Sequence, residues 1–156
     1  MSTAPTSISR SIDVDAPPDR VWALVSDLPG MGRLSPENAG GSWLRGASGP
    51  AVGARFRGAN RSGWRRWSTL VTVTDCEPGR RFGFDVSSLG MPVAHWSYDV
   101  SPRPAGCSVT ETWLDRRRAP MVMLGRLATG VGDRAAWTVS SIEQTLNALK
   151  RVAEAE

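Results

Sequence analysis

The sequence predicts an α+β domain in which a curved antiparallel sheet of about seven strands wraps around one long C-terminal helix. Three observations predict it. Between Gly40 and Trp113, runs of alternating apolar and polar residues are separated by Gly and Pro turn signals, the pattern of an antiparallel meander. From Ala135 to Ala153, apolar or small residues recur every three or four positions, which is one face of an amphipathic helix. The length of 156 residues fits one domain able to bury a full core without disulfides or metals.

The elements follow in order. Residues 1–6 read as a disordered tail ahead of a single domain over residues 7–156. In "SISRSIDVD", Ile8, Ile12 and Val14 share one face of a strand. "APPDRVWALVSDL" starts a helix: Pro18 suits the first turn, Asp19 complements the helix dipole, and Val21, Trp22, Leu24, Val25 and Leu28 recur at helical spacing. "PGMGRLSPE" breaks it and forms one more short helical turn carrying Met31 and Leu34. Six strands are then expected in "GSWLRG", "ARFRGAN", "WRRWSTLVTVTDCE", "RRFGFDV", "AHWSYDVSP" and "CSVTETWLD", with turns at "ASGPAVG", "RSG", "PG" and "RPAG" and a loop at "SSLGMP". "RRRAPMVMLGRLATGVG" reads as a linker or a short helical piece interrupted by Gly130 and Gly132, and Asp133 as the N-cap of the last helix. A single sheet cannot bury both faces, so its concave face receives the long helix, and a sheet curved that strongly leaves a cavity beneath it.

Composition narrows the function. The formal net charge is +4, and every basic residue but Lys150 is an arginine. Arginine binds phosphates well, but a genome-wide codon bias explains the excess more simply, and a nucleic acid is not the expected partner. Cys76 and Cys107 form no Cys-x-x-Cys pair, and the lone His95 rules out a His-rich zinc site; both thiols are expected to be reduced, in a cytoplasmic protein without metal or cofactor. The N-terminus carries no apolar segment after a basic one, and no apolar run is long enough to span a membrane. No nucleophile elbow, P-loop, dinucleotide fingerprint or His-Glu-x-x-His is present.

Five stretches in this order resemble the helix-grip superfamily of the birch pollen allergen, START lipid-transfer domains and bacterial polyketide cyclase/dehydrases. "SIDVDAPPDRVWALVSDLPG" resembles its opening strand, Ala-Pro and helix. "VGARFRGANRSG" is similar to its Gly-x-x-Phe-x-Gly hairpin, "VTDCEPGRRFGFDV" to its Glu-Pro-Gly turn, and "SVTETW" to its Val-Thr-Glu strand. "DRAAWTVSSIEQTLNALKRVAE" resembles its closing helix. The resemblance covers roughly residues 8 to 154. It implies the helix-grip fold and either of two activities: binding a small hydrophobic molecule such as a lipid, polyketide or aromatic metabolite, or cyclising and dehydrating a poly-ketone. Cyclases of the family typically shape a pocket with few charged groups.

Strand period assigns the cavity face. It carries Phe56, Trp67, Thr69, Phe82, Phe84, Trp96 and Trp113, together with Tyr98 and Glu111, and sends His95 outward. With Met31 and Leu34, with Met121, Met123 and Leu127 before the last helix, and with Thr138 and Ile142 on it, these are the candidate ligand-binding residues. Met121 and Met123 read equally as ordinary packing under a loop.

Glu111 is the one carboxylate among aromatic side chains, where an unpaired charge is costly. Three readings stay open: a rim ion pair with an arginine, a buried structural pair with Tyr98, or a ligand-contacting acid/base group, in which case Glu111 and Tyr98 are the catalytic candidates. At the "RSG" hairpin, Trp64 has the outward parity, and Arg65 has the inward parity with its head expected in solvent. Arg116, Arg117 and Arg118 read as a solvated loop or a surface for an anionic partner. A third reading of the chain is therefore arginine-mediated binding of an acidic partner. The oligomeric state is left open, a homodimer included.

Overall fold

The computed structural model describes residues 6–130 and 133–155. Of the tail expected at residues 1–6, residues 1–5 lie outside the described residues, as does the interruption expected at Gly132. Thr6, counted with the tail, accepts a backbone hydrogen bond from Asp115 at 2.9 Å and so belongs to the sheet edge.

Strand β1 (Ser7–Val14) leads into helix α1 (Pro18–Val25) and a 3₁₀ turn (Leu28–Arg33). Six strands follow: β2 (Asn38–Trp43), β3 (Arg55–Ser62), β4 (Arg65–Glu77), β5 (Arg81–Ser88), β6 (Met91–Arg103) and β7 (Gly106–Asp115). Helices α2 (Ala119–Thr129) and α3 (Arg134–Ala155) close the chain. The seven strands form one antiparallel sheet in the order β1-β7-β6-β5-β4-β3-β2. Each pairs with its chain neighbour except β1, which crosses to β7, and α3 lies against β1 and β7 on the concave side.

The period-2 faces hold along the ladders between the bulges at Val73/Asp75 in β4 and Val86/Ser87 in β5, because directly opposed residues share a face. Phe82 opposes Tyr98, Phe84 opposes Trp96, Trp96 opposes Trp113, and Tyr98 opposes Glu111. Val14, Val21, Val25, Val109, Ile142 and Leu149 are fully buried between sheet and helices, each contributing about 1.5–3 kcal/mol. Asp133 caps α3, its Oδ1 accepting from the Ala136 amide at 3.1 Å.

Four boundaries differ from the sequence reading. The β3–β4 turn is the two residues Gly63 and Trp64, with Arg61 and Ser62 still paired in β3. The loop expected at "SSLGMP" is a two-residue turn, Leu89–Gly90, with both residues at positive φ. The strand expected in "GSWLRG" begins three residues earlier, at Asn38. The segment before the last helix is a full helix, α2, ended by Gly130 at φ +73°.

That glycine explains Arg65. Its guanidinium lies under the end of α2 rather than in solvent, and a Cβ at Gly130 would sit 2.7 Å from Arg65 Nη1. A cation there also complements the negative end of the helix.

One end of the sheet concerns the site. The register places the Gly63–Trp64 and Leu89–Gly90 turns, the start of β2 and the end of β7 together at that end, and the Arg134–Glu37 pair brings the start of α3 there.

Candidate functional site

Between the concave sheet face and α3 lies a cavity of about 230 Å³, roofed in part by α2 and the 3₁₀ turn. For scale, an apolar cavity of about 150 Å³ accommodates a benzene-sized molecule. Phe56, Trp67, Thr69, Phe84, Trp96 and Trp113 wall the sheet side. Met31 contributes from the 3₁₀ turn, Met121 from α2 and Thr138 from α3.

Five residues expected there lie elsewhere. Phe82 is packed beneath the wall, edge-on to Trp22 and against Phe84. Ile142 is wholly buried in the core between sheet and α3. Leu34 closes the core behind the 3₁₀ turn. Met123 and Leu127 point away from the cavity into solvent, because α2 turns only its other side inward.

At the bottom of the cavity sits Glu111, with 2% of its surface exposed. Tyr98 Oη donates to its Oε2 at 2.9 Å. The other oxygen, Oε1, is buried with no hydrogen-bond partner. No arginine reaches it: Arg10 opposes Glu111 in the β1–β7 ladder but turns to Glu143 on α3, 3.8 Å away. The rim ion pair is thus excluded. Burial pushes the Glu111 carboxyl up from 4.5 to about 8, against the lowering effect of the Tyr98 hydroxyl. Burial, and then the neighbouring Glu111, hold the Tyr98 phenol well above its ordinary range. At neutral pH the floor therefore carries a protonated carboxylic acid beside a neutral phenol. Oε2 is occupied by Tyr98, which leaves Oε1 as the oxygen without a partner and the place for the acid proton.

The mouth is polar. Arg134, at the start of α3, donates through Nη1 to both carboxylate oxygens of Glu37 at 3.1 Å, and through Nη2 to Thr129 Oγ1 at 2.9 Å. Burial raises Glu37 more than Arg134 lowers it. Arg117 grips Asp115 with two parallel bonds of 2.9 Å. Burial favours the neutral form of Asp115, but the hydrogen bonds from Arg117 outweigh it and hold the acid below its usual range. Asn60 donates to Thr69 Oγ1 at 3.1 Å on the wall.

Sequence reasoning did not place Glu37, Asn60, Arg134 and Trp137 at the cavity, and it read Arg117 as part of a solvated loop or anionic surface, yet all five line the cavity. It also missed Ser141 and Thr145, which with Thr138 form a buried polar stripe on α3. Their spacing of three and four residues was a readable signal. His95 lies off the cavity, its Nδ1 2.7 Å from Asp85 Oδ1.

A helix-grip sheet over an aromatic cavity defines the class, and the sequence comparison agrees. Residues 5–154 match the family described as polyketide cyclase / dehydrase and lipid transport, and the chain belongs to it. The polyketide-cyclase-like protein Cgl2372 of Corynebacterium glutamicum is 29% identical, covers 97% of this chain and 93% of its own, and superposes with a TM-score of 0.62. A protein from Thermobifida fusca is 22% identical over 92% of this chain and 90% of its own, with a TM-score of 0.61. The di-domain ARO/CYC protein BexL of the BE-7585A biosynthetic pathway is 18% identical over 97% of this chain and 51% of its own, with a TM-score of 0.71. This chain thus spans about half of BexL. No curated protein matches the sequence.

Proposed function

We propose that the protein binds a small, mainly apolar molecule that carries a carbonyl oxygen at its buried end. The observation that carries this is Glu111: a carboxyl with one oxygen held by Tyr98 and the other unpartnered, at the bottom of an aromatic cavity. A buried donor without a partner is costly, and a ligand carbonyl relieves that cost. A ligand carboxylate ionised at neutral pH gains less, since no cation touches the floor to neutralise it. The aromatic walls supply affinity by burial, and the single donor supplies orientation.

Calorimetry with matched probes tests this. 2-Acetylnaphthalene should bind up to about tenfold tighter than 2-ethylnaphthalene, the worth of one good hydrogen bond. Glu111→Gln keeps a donor there and should keep the preference, whereas Glu111→Leu should erase it. Equal affinity of the two probes for the native protein would refute the proposal.

A second reading rests on the same pair and on the likeness to ARO/CYC proteins. A protonated Glu111 can give its proton to the departing hydroxyl of a β-hydroxy ketone. The carboxylate left behind takes the α-proton, so water leaves and the group ends as it began. Turnover of a linear poly-ketone unchanged by Glu111→Gln and Tyr98→Phe eliminates this role.

A further inference from the structure

Helix α2 is apolar on both sides, although a surface helix normally pairs one apolar face with one polar one. Met121, Gly125 and Ala128 face the cavity. Met123 and Leu127, one turn apart, face outward and are 69% and 77% exposed. Two more large apolar side chains stand out at the same end of the sheet, Trp64 and Leu89 at the two hairpin tips, each 80% exposed. Leu89 stands at φ +54°, a conformation that a branched side chain adopts only against its preference. Leu89 and Leu124 belong both to this exposed set and to the cavity wall, so the cavity reaches the surface among these side chains.

The exposed charge at this end is mostly positive: Glu37 and Asp115 are paired with Arg134 and Arg117, and Asp133 caps α3. Arg61, Arg66, Arg118 and Arg126 are exposed there, and none has an acidic partner among the described residues. Arg66 lies two residues from Trp64 in sequence, and Arg126 is next to Leu127. We infer that this face docks on an anionic lipid bilayer, with Trp64, Leu89, Met123 and Leu127 in the interface and the arginines at the phosphates. Separate apolar tips, each beside a cation, suit a surface that yields to them, and a tryptophan ring sits well where one side is apolar and the other wet. A soluble acidic protein or a nucleic acid would engage the arginines and leave the four apolar tips in water. Docked in this way, the cavity opens toward the lipid, and an apolar ligand exchanges without crossing water.

Cosedimentation of the full chain with vesicles tests the inference, with no ligand added. The protein should pellet with vesicles of equal parts phosphatidylcholine and phosphatidylglycerol, far less with phosphatidylcholine alone, and less as salt rises. Each of Arg61→Gln and Arg126→Gln should weaken partitioning about fivefold. Trp64→Ser combined with Leu127→Ser leaves the charge unchanged and should weaken it at least as much. Val52→Ser, an exposed apolar residue away from this end, should change nothing. In the unaltered chain, brominated lipid should quench the part of the fluorescence that Trp64→Phe removes. Three results overturn the inference: no pelleting with either vesicle, binding that ignores Trp64 and Leu127, or a homodimer that those two substitutions dissociate.

Discussion

Glu111→Gln should make the protein more stable at alkaline pH and leave it nearly unchanged in acid. The folded chain holds the Glu111 proton up to about pH 8, whereas the unfolded chain releases it near 4.5. Between those values the unfolded state binds fewer protons, so stability falls as pH rises; the contribution is full below 4.5 and gone above 8. At about 1.4 kcal/mol per pH unit, the loss between pH 5 and pH 9 is on the order of 4 kcal/mol, a large part of a domain's net stability. Glutamine keeps the volume and accepts the Tyr98 hydrogen bond, but does not ionise. Asp115 acts in the opposite sense, because its carboxyl is held low and its contribution is lost as pH falls. The difference between the native chain and the variant removes that background. Urea unfolding of both at half-unit steps from pH 5 to 9 is the assay. The native chain should lose ground to the variant steadily and level off above pH 8. Parallel curves across the range would show that Glu111 is ionised throughout, and the reasoning about a neutral floor would fail.

Phe82 and Phe84 should separate stability from binding. Phe82→Leu should cost about 2 kcal/mol by thermal melting with ligand affinity unchanged, because Phe82 is packed beneath the wall. Phe84→Leu widens the cavity itself, and should shift preference toward bulkier aromatic ketones in the same calorimetric series. Arg134→Gln leaves the Glu37 carboxylate without its cation and should cost about 2 kcal/mol, less than the loss of a fully buried pair because both side chains still touch solvent. It should also speed ligand release in stopped-flow fluorescence, since the pair bridges the mouth.

The cavity wall was legible wherever a strand's period met a hydrogen-bonded neighbour. Trp96 and Trp113 oppose one another in the ladder, so two independent alternations agree on their face. Glu111 was found the same way, as the odd polar residue on an apolar parity. Its pairing with Tyr98 was one of three readings left open, and the choice among them was not legible: the ladder sets Arg10 opposite Glu111, and only the packing of α3 draws Arg10 to Glu143. Helix α2 was missed in part because its apolar residues fall on both sides, which hides the 3.6-residue period. Met123 and Leu127, read with Met121 as candidates for the cavity, lie on the outer side. Glu37, Arg117 and Arg134 sit where elements begin or end, and no period reaches there. Phe82 and Ile142 have the right parity but lie a layer deeper, a matter of sheet curvature that alternation does not encode.

The most direct test is the infrared carbonyl stretch of 2-acetylnaphthalene, labelled at the carbonyl carbon, bound to the protein at pH 7. A neutral Glu111 donating from Oε1 predicts a band moved to lower frequency than in hexane, moved similarly in Glu111→Gln, and returned to the hexane position in Glu111→Leu. A bound ketone with the hexane frequency in the native protein would contradict a protonated Glu111 donating to the ligand.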